Sequence, residues 1–232
     1  MSNEISQPNR KSRTLQRILT AARTEFTDKG LEAARMDNIA RSSGVTKQLI
    51  NHYFLNKNEL YQLVFDDVSQ SVLSICDETH YVDLDPVEAI RFLVNKIIDV
   101  HVEKPGIAML TLDQGLHRAA HINPQTCFVP ITRDFINNVL EPILHEGARL
   151  GVFRSGVDAT LFYATAYHVA TGCFLIGPAM TRTVGIDFDS PEGVAAWRAN
   201  ALDFIMASLG ASGGRSPTPV PGQVKESTTG AF

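Results

Sequence analysis

Hydrophobic residues along most of the chain recur three and four positions apart, which is the spacing of one face of an α-helix. From this pattern we predict helices over about residues 11–29, 36–43, 46–53, 56–79, 85–103, 106–118, 130–150, 158–177 and 190–209. Gly30 and Gly151 follow the ends of two of these segments, and Pro86 lies just inside the start of another. No segment alternates as a strand does, so the sequence predicts an all-α fold.

Residues 35–60 form the most informative stretch, RMDNIARSSGVTKQLINHYFLNKNEL. They predict two short helices joined by a turn at Gly44, followed by the start of another helix. The second of the two short helices presents a row of hydrogen-bonding side chains: Lys47, Gln48, Asn51 and His52. Amide side chains on one helical face can read base edges in the major groove, so this pattern predicts DNA readout.

This array resembles the N-terminal domain of the tetracycline-repressor (TetR) family over roughly residues 13–62. The landmarks that carry the resemblance are Ile18-Leu19, Ala21-Ala22, Phe26, Gly30, Ile39-Ala40, Gly44-Val45-Thr46, Tyr53-Phe54 and Asn56-Lys57-Asn58-Glu59-Leu60. Two positions depart from the family. Arg35 stands where a hydroxyl residue usually caps the second helix, and Asn51 stands where a tyrosine is frequent.

The resemblance implies a helix-turn-helix DNA-binding domain over residues 11–57, preceded by a flexible arm of residues 1–10. The residues expected to contact DNA are Arg35, Thr46, Lys47, Gln48, Asn51, His52, Tyr53 and Lys57. Among them, Lys47, Gln48 and Asn51 are expected to read bases. Thr46, Tyr53 and Lys57 are expected to hold phosphates.

The charge distribution supports a nucleic-acid partner for this part alone. The chain carries a net charge of −4, yet residues 1–57 hold ten Lys and Arg against five Asp and Glu, and the rest holds eleven against twenty. Positive charge attracts phosphates and supplies most non-specific DNA affinity. The basic residues expected around the helix-turn-helix are Arg10, Lys11, Arg13, Arg17, Arg35, Arg41, Lys47 and Lys57. A solvated basic face is the simpler alternative for such a cluster.

Residues 58–209 are predicted to form a larger helical domain for effector binding and dimerisation. The last two long helices are apolar over much of their circumference, so they need burial on more than one side. The resemblance implies a homodimer through these helices, which binds a pseudo-palindromic operator of double-stranded DNA. A monomer core is the alternative. Residues 210–232 are rich in Gly, Ser, Pro and Thr and are predicted to form a disordered tail.

The middle helices are predicted to enclose a cavity for a largely apolar or aromatic small molecule. Its expected lining residues are Phe65, Phe92, His101, Met109, Leu112, Asp113, His117, Phe128, Phe135, Tyr163, Tyr167 and His168. Aromatic residues at helical spacing are also ordinary core residues, so plain packing is the alternative for each.

No cofactor or metal is expected. Asp113, His117 and His121 are four residues apart and would share one helical face, but a hydrogen-bonded or exposed group is favoured over a metal site. Cys76, Cys127 and Cys173 lack paired spacing and are predicted to be buried thiols in a reducing cytoplasm.

The sequence also lacks a membrane span and a secretory signal by composition. It contains no phosphate-binding glycine loop and no G-x-S-x-G nucleophile motif, so an enzyme is not expected. The main prediction is a ligand-responsive transcription regulator, most simply a repressor. The alternatives are an activator and a helical protein-interaction module whose head does not act as a simple repressor.

Overall fold

The computed structural model describes residues 10–119 and 128–210. The α-helices of these residues are α1 (Arg10–Ala33), α2 (Met36–Ser43), α3 (Lys47–Tyr53), α4 (Lys57–Leu73), α5 (Pro86–Glu103), α6 (Gly106–Leu116), α7 (Phe128–Phe135), α8 (Glu141–Arg149), α9 (Ala159–Val184) and α10 (Pro191–Leu209). No strand occurs within these two ranges, so the predicted all-α fold is confirmed. The predicted arm, apart from Arg10, and the predicted tail beyond Gly210 lie outside the described residues, as do His121 and Cys127.

Helices α1 to α3 form a small head around a core of Ile18, Phe26, Ile39 and Ile50, each at most 1% exposed. Gly44 adopts the left-handed conformation (φ 64°, ψ 35°) that the turn between α2 and α3 requires, as the sequence predicted. The Arg17 guanidinium of α1 donates hydrogen bonds to the carbonyl oxygens of Ser43 and Gly44. The turn is therefore held by a side chain from the first helix.

Helix α4 is shorter than the sequence predicted. It ends at Leu73 instead of about Thr79, and two 3₁₀ turns follow, Ser74–Cys76 and Glu78–His80. Asp77 begins the second turn because its carboxylate accepts the backbone N–H of Thr79. The Tyr81 hydroxyl donates to the carbonyl oxygen of Ile75 at 2.8 Å and closes the segment.

Helix α9 is longer than the sequence predicted. It continues past Gly177 to Val184, and Gly185 ends it in the left-handed conformation. The predicted end instead marks a kink, with Ile176 at φ −128° and ψ 15°. Pro178 follows two positions later and has no N–H for a helical hydrogen bond, which explains a kink at this point. The predicted helix over 130–150 likewise contains a π-helical segment, Ile136–Leu140, just before Pro142.

Helix α5 is the central helix of the larger domain, and it packs against α8, α9 and α10. Helix α6 packs against α1 on one side and α9 on another, so it touches both the head and the larger domain. Cys76 and Cys173 are free and buried, as predicted.

In the described part of the chain, the stretch Ala159–Gly177 of α9 has the length and apolar composition of a membrane span. Core helices of globular proteins have the same properties, and α9 packs against α5, α6 and α10. Within the described residues, 39% of this stretch is buried.

Candidate functional site

Helix α3 has an exposed polar side and a buried apolar side. Ile50 is fully buried and Phe54, which caps the helix end, is 3% exposed, while Lys47, Gln48, Asn51 and His52 are exposed. The exposed residues lie at i, i+1, i+4 and i+5, so they share one side of the helix. Thr46 caps the helix by accepting the backbone N–H of Leu49 at 3.2 Å. The face has the shape and polarity of a major-groove reader.

The basic residues near α3 differ in whether their partners are side chains or backbone carbonyl oxygens. Lys47 is exposed and pairs with Asp37 at 3.0 Å, and the ammonium of Lys11 lies 5.9 Å from the centroid of the Tyr53 ring. Lys57, in contrast, donates to the carbonyl oxygens of Glu32 and Ala34 at 3.0 and 3.2 Å. Lys57 therefore ties the start of α4 to the end of α1, a contact that the sequence did not indicate.

Arg35 precedes α2 with an exposed side chain that makes no cap hydrogen bond, as its residue type predicted. Glu25 of α1 caps the start of α2 instead. Its carboxylate accepts the backbone N–H of Arg35 at 3.0 Å and the side-chain amide of Asn38 at 2.9 Å.

A cavity of about 320 Å³ lies between α4, α6, α7 and α9, at the small end of the range for ligand sites. Its wall consists of Phe65, Val68, Ser69, Val72, Ile107, Leu110, Thr111, Gln114, Phe128, Thr132, Tyr163, Ala164, Tyr167 and His168. Five of these were expected from the sequence: Phe65, Phe128, Tyr163, Tyr167 and His168. The sequence reasoning missed the aliphatic and small polar lining residues, because only the relative placement of the helices brings them to the cavity.

The other expected lining residues lie elsewhere. Phe92 and Phe135 pack against Tyr81, and their ring centroids lie 5.3 and 5.2 Å, respectively, from the centroid of the Tyr81 ring. His101 is buried beside the cavity residue Tyr167, and its Nδ1 donates to the carbonyl oxygen of Ile97 at 2.8 Å. Three more residues of α6 and its end, Met109, Leu112 and His117, are also absent from the cavity wall.

Asp113 is also outside the wall, and its carboxylate joins three helices. The Tyr61 hydroxyl of α4 donates to Asp113 Oδ2 at 2.6 Å, and Gln114 Nε2 donates to the Tyr61 oxygen at 2.9 Å. The Tyr61 ring meets Phe26 of α1 edge-on, with centroids 5.1 Å apart. Hydrogen bonds therefore connect the cavity residue Gln114 with Tyr61 of α4, and the Tyr61 ring in turn contacts α1 of the head. Tyr61, the central member of this connection, was missed by the sequence reasoning.

The predicted i, i+4 proximity of Asp113 and His117 is present, with His117 Nε2 3.6 Å from Asp113 Oδ1. His121, the third residue of that group, lies outside the described residues. Asp113 is already engaged by Tyr61, so its role in the described structure is a hydrogen-bonded one.

Helices α9 and α10 carry an exposed apolar face. Leu161, Ile176 and Phe204 are 49%, 52% and 59% exposed. On α10 the exposed residues near Phe204 include small ones, Ala196, Ala199 and Ala207. Exposed apolar side chains on two helices that pack together make these helices candidates for an interaction surface.

These features define a helical regulator with a DNA-reading head, and comparisons with known proteins agree. Residues 18–64 match the model for bacterial regulatory proteins of the tetR family, and residues 86–205 match the tetracyclin repressor-like C-terminal domain. The chain therefore belongs to the TetR family. Members of this family are DNA-binding transcription regulators that dimerise, and they are not enzymes.

Individual relatives are distant. The transcriptional repressor NicS of Pseudomonas putida is 24% identical over 201 residues, which cover 85% of this chain and 92% of that protein. Among solved structures, the Streptomyces coelicolor regulator SCO4942 has a TM-score of 0.63 at 21% identity, with 84% of this chain and 98% of that chain covered. FadR of Bacillus subtilis, solved with stearoyl-CoA, has a TM-score of 0.58 at 19% identity, with 84% and 99% covered. At these identities the structures establish the fold alone.

Proposed function

We propose that this protein is a repressor that binds a pseudo-palindromic operator as a homodimer and is released from it by a small molecule bound in the cavity. The observation that carries this proposal is the hydrogen-bonded path from the cavity residue Gln114 through Tyr61 to Asp113, beside α1. Because the Tyr61 ring contacts Phe26 of α1, a change at the cavity wall would be passed through Tyr61 to the head.

In the proposed DNA complex, the exposed face of α3 enters the major groove. Gln48 and Asn51 present amides that can pair with adenine, and Lys47 can pair with guanine once it leaves Asp37. Thr46, Tyr53 and Arg35 around this face, together with His52 at its end, would hold phosphates of the DNA backbone. Lys57, which was expected from the sequence to hold a phosphate, would instead stay within the protein, because its ammonium donates to carbonyl oxygens of the head.

The exposed face of α9 and α10 supports a dimer through these two helices. Leu161, Ile176 and Phe204 would be buried against the same residues of a second copy, since a two-fold interface pairs one patch with itself. Small residues such as Ala199 and Ala207 allow the helices to approach closely. The dimer would place two recognition helices about 34–36 Å apart, one turn of DNA, or at a multiple of that distance.

Release by a ligand follows from a shift between two arrangements of the head. In one arrangement the spacing of the two recognition helices does not match the operator. A ligand that binds this arrangement more tightly than the other lowers the affinity for the operator. The size of the effect is limited by the difference between the ligand's affinities for the two arrangements. Helices α4 and α6 are the natural levers, because both line the cavity and both pack against α1. The names of relatives such as NicS, a repressor, support the negative sign of regulation.

Transcription from a reporter promoter that carries the operator, itself selected from random DNA, tests this function. The wild-type chain should reduce expression, and Phe204→Glu should restore it by placing a charge in the dimer interface. Val82→Glu is a matched control, because Val82 is 75% exposed and lies away from α9 and α10 in the chain. Repression by the Phe204→Glu protein at wild-type strength would contradict the proposed dimer interface. Activation of the promoter by the wild-type protein would contradict its proposed role as a repressor.

A further inference from the structure

The polar atoms of the cavity wall indicate the chemistry of the ligand. Gln114 is 6% exposed, and its side-chain oxygen Oε1 has no hydrogen-bond partner among residues 10–119 and 128–210. A buried acceptor without a donor is unfavourable, and few occur in folded proteins. Because Gln114 forms part of the cavity wall, a ligand in the cavity is in a position to supply that donor.

The orientation of the Gln114 amide follows from its neighbours. The carboxylate of Asp113 can only accept, so the single hydroxyl proton of Tyr61 goes to Asp113 Oδ2. Burial raises the pKa of Tyr61, and the hydrogen bond with Asp113 raises it further, so Tyr61 keeps that proton at neutral pH. The Tyr61 oxygen then accepts from the amide nitrogen of Gln114, which leaves Oε1 as the free end of the amide.

A second buried polar atom lies in the same wall. The Tyr163 hydroxyl has no partner in the described part of the chain, and Tyr163 is 8% exposed. Burial raises the pKa of Tyr163, so its hydroxyl remains protonated and can donate to a ligand oxygen. Thr132 Oγ1 lines the same wall and also has no hydrogen-bond partner among the described residues. The wall thus offers one fixed acceptor, Gln114 Oε1, and two hydroxyl groups.

The described wall has no side chain that is permanently charged. None of its residues is Lys, Arg, Asp or Glu, and most of the rest are apolar or aromatic. Its single histidine, His168, is exposed, and its Nδ1 donates to the carbonyl oxygen of Ala164 at 2.7 Å. An anionic group placed there would lose its hydration without gaining a counter-charge. The wall therefore disfavours a carboxylate or a phosphate.

We propose that the ligand is an uncharged, apolar molecule with a hydroxyl group, and that this hydroxyl donates its proton to Gln114 Oε1. The inference rests on the proposed function, in that it takes this cavity as the effector site. Gln114 is then the residue that determines specificity, and Tyr61 is the residue that positions its amide. The bond formed with the ligand adds to the hydrogen bonds that connect Gln114 with Tyr61 and Asp113, and the Tyr61 ring contacts Phe26 of α1.

Calorimetric titration of the full-length dimer, without DNA, tests the ligand class. The probes are octanol, menthol and naphthol, each compared with its methyl ether and with the carboxylate of the same skeleton. The ether keeps the acceptor and loses the donor. At least one alcohol should bind about tenfold or more tightly than its ether and its carboxylate, because a site built for a hydrogen bond rejects analogues that lack it. The proposal is overturned if no alcohol exceeds its ether, or if a carboxylate binds most tightly.

Two variants identify the residue responsible. Gln114→Leu should reduce the affinity of the preferred alcohol to that of its ether, about tenfold, while the affinity of the ether changes little. Thr111→Val is the matched control on the same wall, one helical turn away, and should keep the preference. A Gln114→Leu protein that still prefers the alcohol contradicts the assignment. If this variant does not fold, the comparison of alcohol and ether in the wild type still decides the ligand class.

The same titrations separate this inference from the proposed function. If an alcohol binds as expected but leaves operator affinity unchanged, the ligand class stands and effector control fails. If no alcohol is preferred while the dimer still binds its operator, the ligand class is wrong and DNA binding stands.

Discussion

The carboxylate of Asp113 lies against the backbone of Gly30, so closely that a Cβ atom on Gly30 would be 2.5 Å from its Oδ1. Gly30 has φ 68° and ψ 175°, a region that residues with a side chain rarely adopt. The two residues bring the end of α1 against α6. The head and the larger domain therefore meet at a joint that only glycine permits.

Gly30→Ala should lower the free energy of unfolding by about 1–3 kcal/mol, because the added Cβ meets both an unfavourable backbone conformation and Asp113. Urea denaturation measures the change. Gly115→Ala is the control on α6: nothing lies within 4 Å of its added Cβ, so alanine should stabilise the helix by roughly 0.5–1 kcal/mol. A Gly30→Ala protein as stable as the wild type would show that the joint is not tight.

Gln48→Ala should weaken binding to the operator by about 1–3 kcal/mol and relax specificity at one position in each half-site. The reason is that Gln48 is exposed on the face of α3 that we expect to read bases. Fluorescence anisotropy on the operator and on random DNA measures both affinities. An equal loss on the two DNAs would contradict base reading by Gln48.

Tyr53→Phe should weaken operator and random DNA alike, since a phosphate contact carries no sequence information. Tyr53 is half-buried beside His52, with ring centroids 5.7 Å apart, so phenylalanine keeps the packing and removes the hydroxyl. The same anisotropy titrations apply. A loss confined to the operator would assign Tyr53 to sequence recognition instead.

Lys57→Ala should lower the stability of the protein, because it removes the hydrogen bonds to the carbonyl oxygens of Glu32 and Ala34. A loss of about 1–3 kcal/mol is expected for hydrogen bonds from a charged group. Lys47→Ala is the control, since its ion pair with Asp37 is exposed and such pairs contribute about 0–1 kcal/mol. Thermal melts that rank the two variants in the opposite order would contradict this role for Lys57.

Low pH should destabilise the larger domain through His101. Burial lowers the pKa of His101 from its ordinary value of 6.5, although its hydrogen bond to the Ile97 carbonyl oxygen opposes this. The unfolded chain then binds the proton more readily, so the contribution of His101 to stability is present above pH 6.5 and is lost as the pH falls below it.

The check is urea denaturation of the wild type and of His101→Phe at several pH values. The wild type should lose more stability than the variant as the pH falls below about 6.5, since phenylalanine keeps the packing against Phe174 without a titrating nitrogen. Parallel pH profiles would mean that His101 does not titrate on unfolding.

The sequence predicted the helices of the head well, because their signals are local. Gly44 sets the turn before α3, and Asn56 caps α4 by accepting the backbone N–H of Glu59 at 2.9 Å. The predicted end of α9 at about Gly177 was wrong. Helix α9, which packs against α5 and α10, continues through a kink at Ile176 to Val184.

The cavity was harder to predict, because its wall depends on how distant helices meet. Aromatic residues such as Phe92 and Phe135 fit both a cavity and a core, and packing with Tyr81 placed them in the core. The hydrogen bond between Tyr61 and Asp113 joins residues that lie 52 positions apart, and no spacing pattern in the sequence predicts it.

Sequence-specific reading by α3 in a dimer is the central claim, and selection from a random DNA pool tests it most directly. Wild-type protein and Gln48→Ala are selected in parallel, at one moderate salt concentration. We predict that the wild type enriches a pseudo-palindrome with half-sites one turn of DNA, or a multiple of it, apart, and that Gln48→Ala loses preference at one symmetric pair of positions. Absence of enrichment for the wild type, or identical motifs for both proteins, would contradict the account.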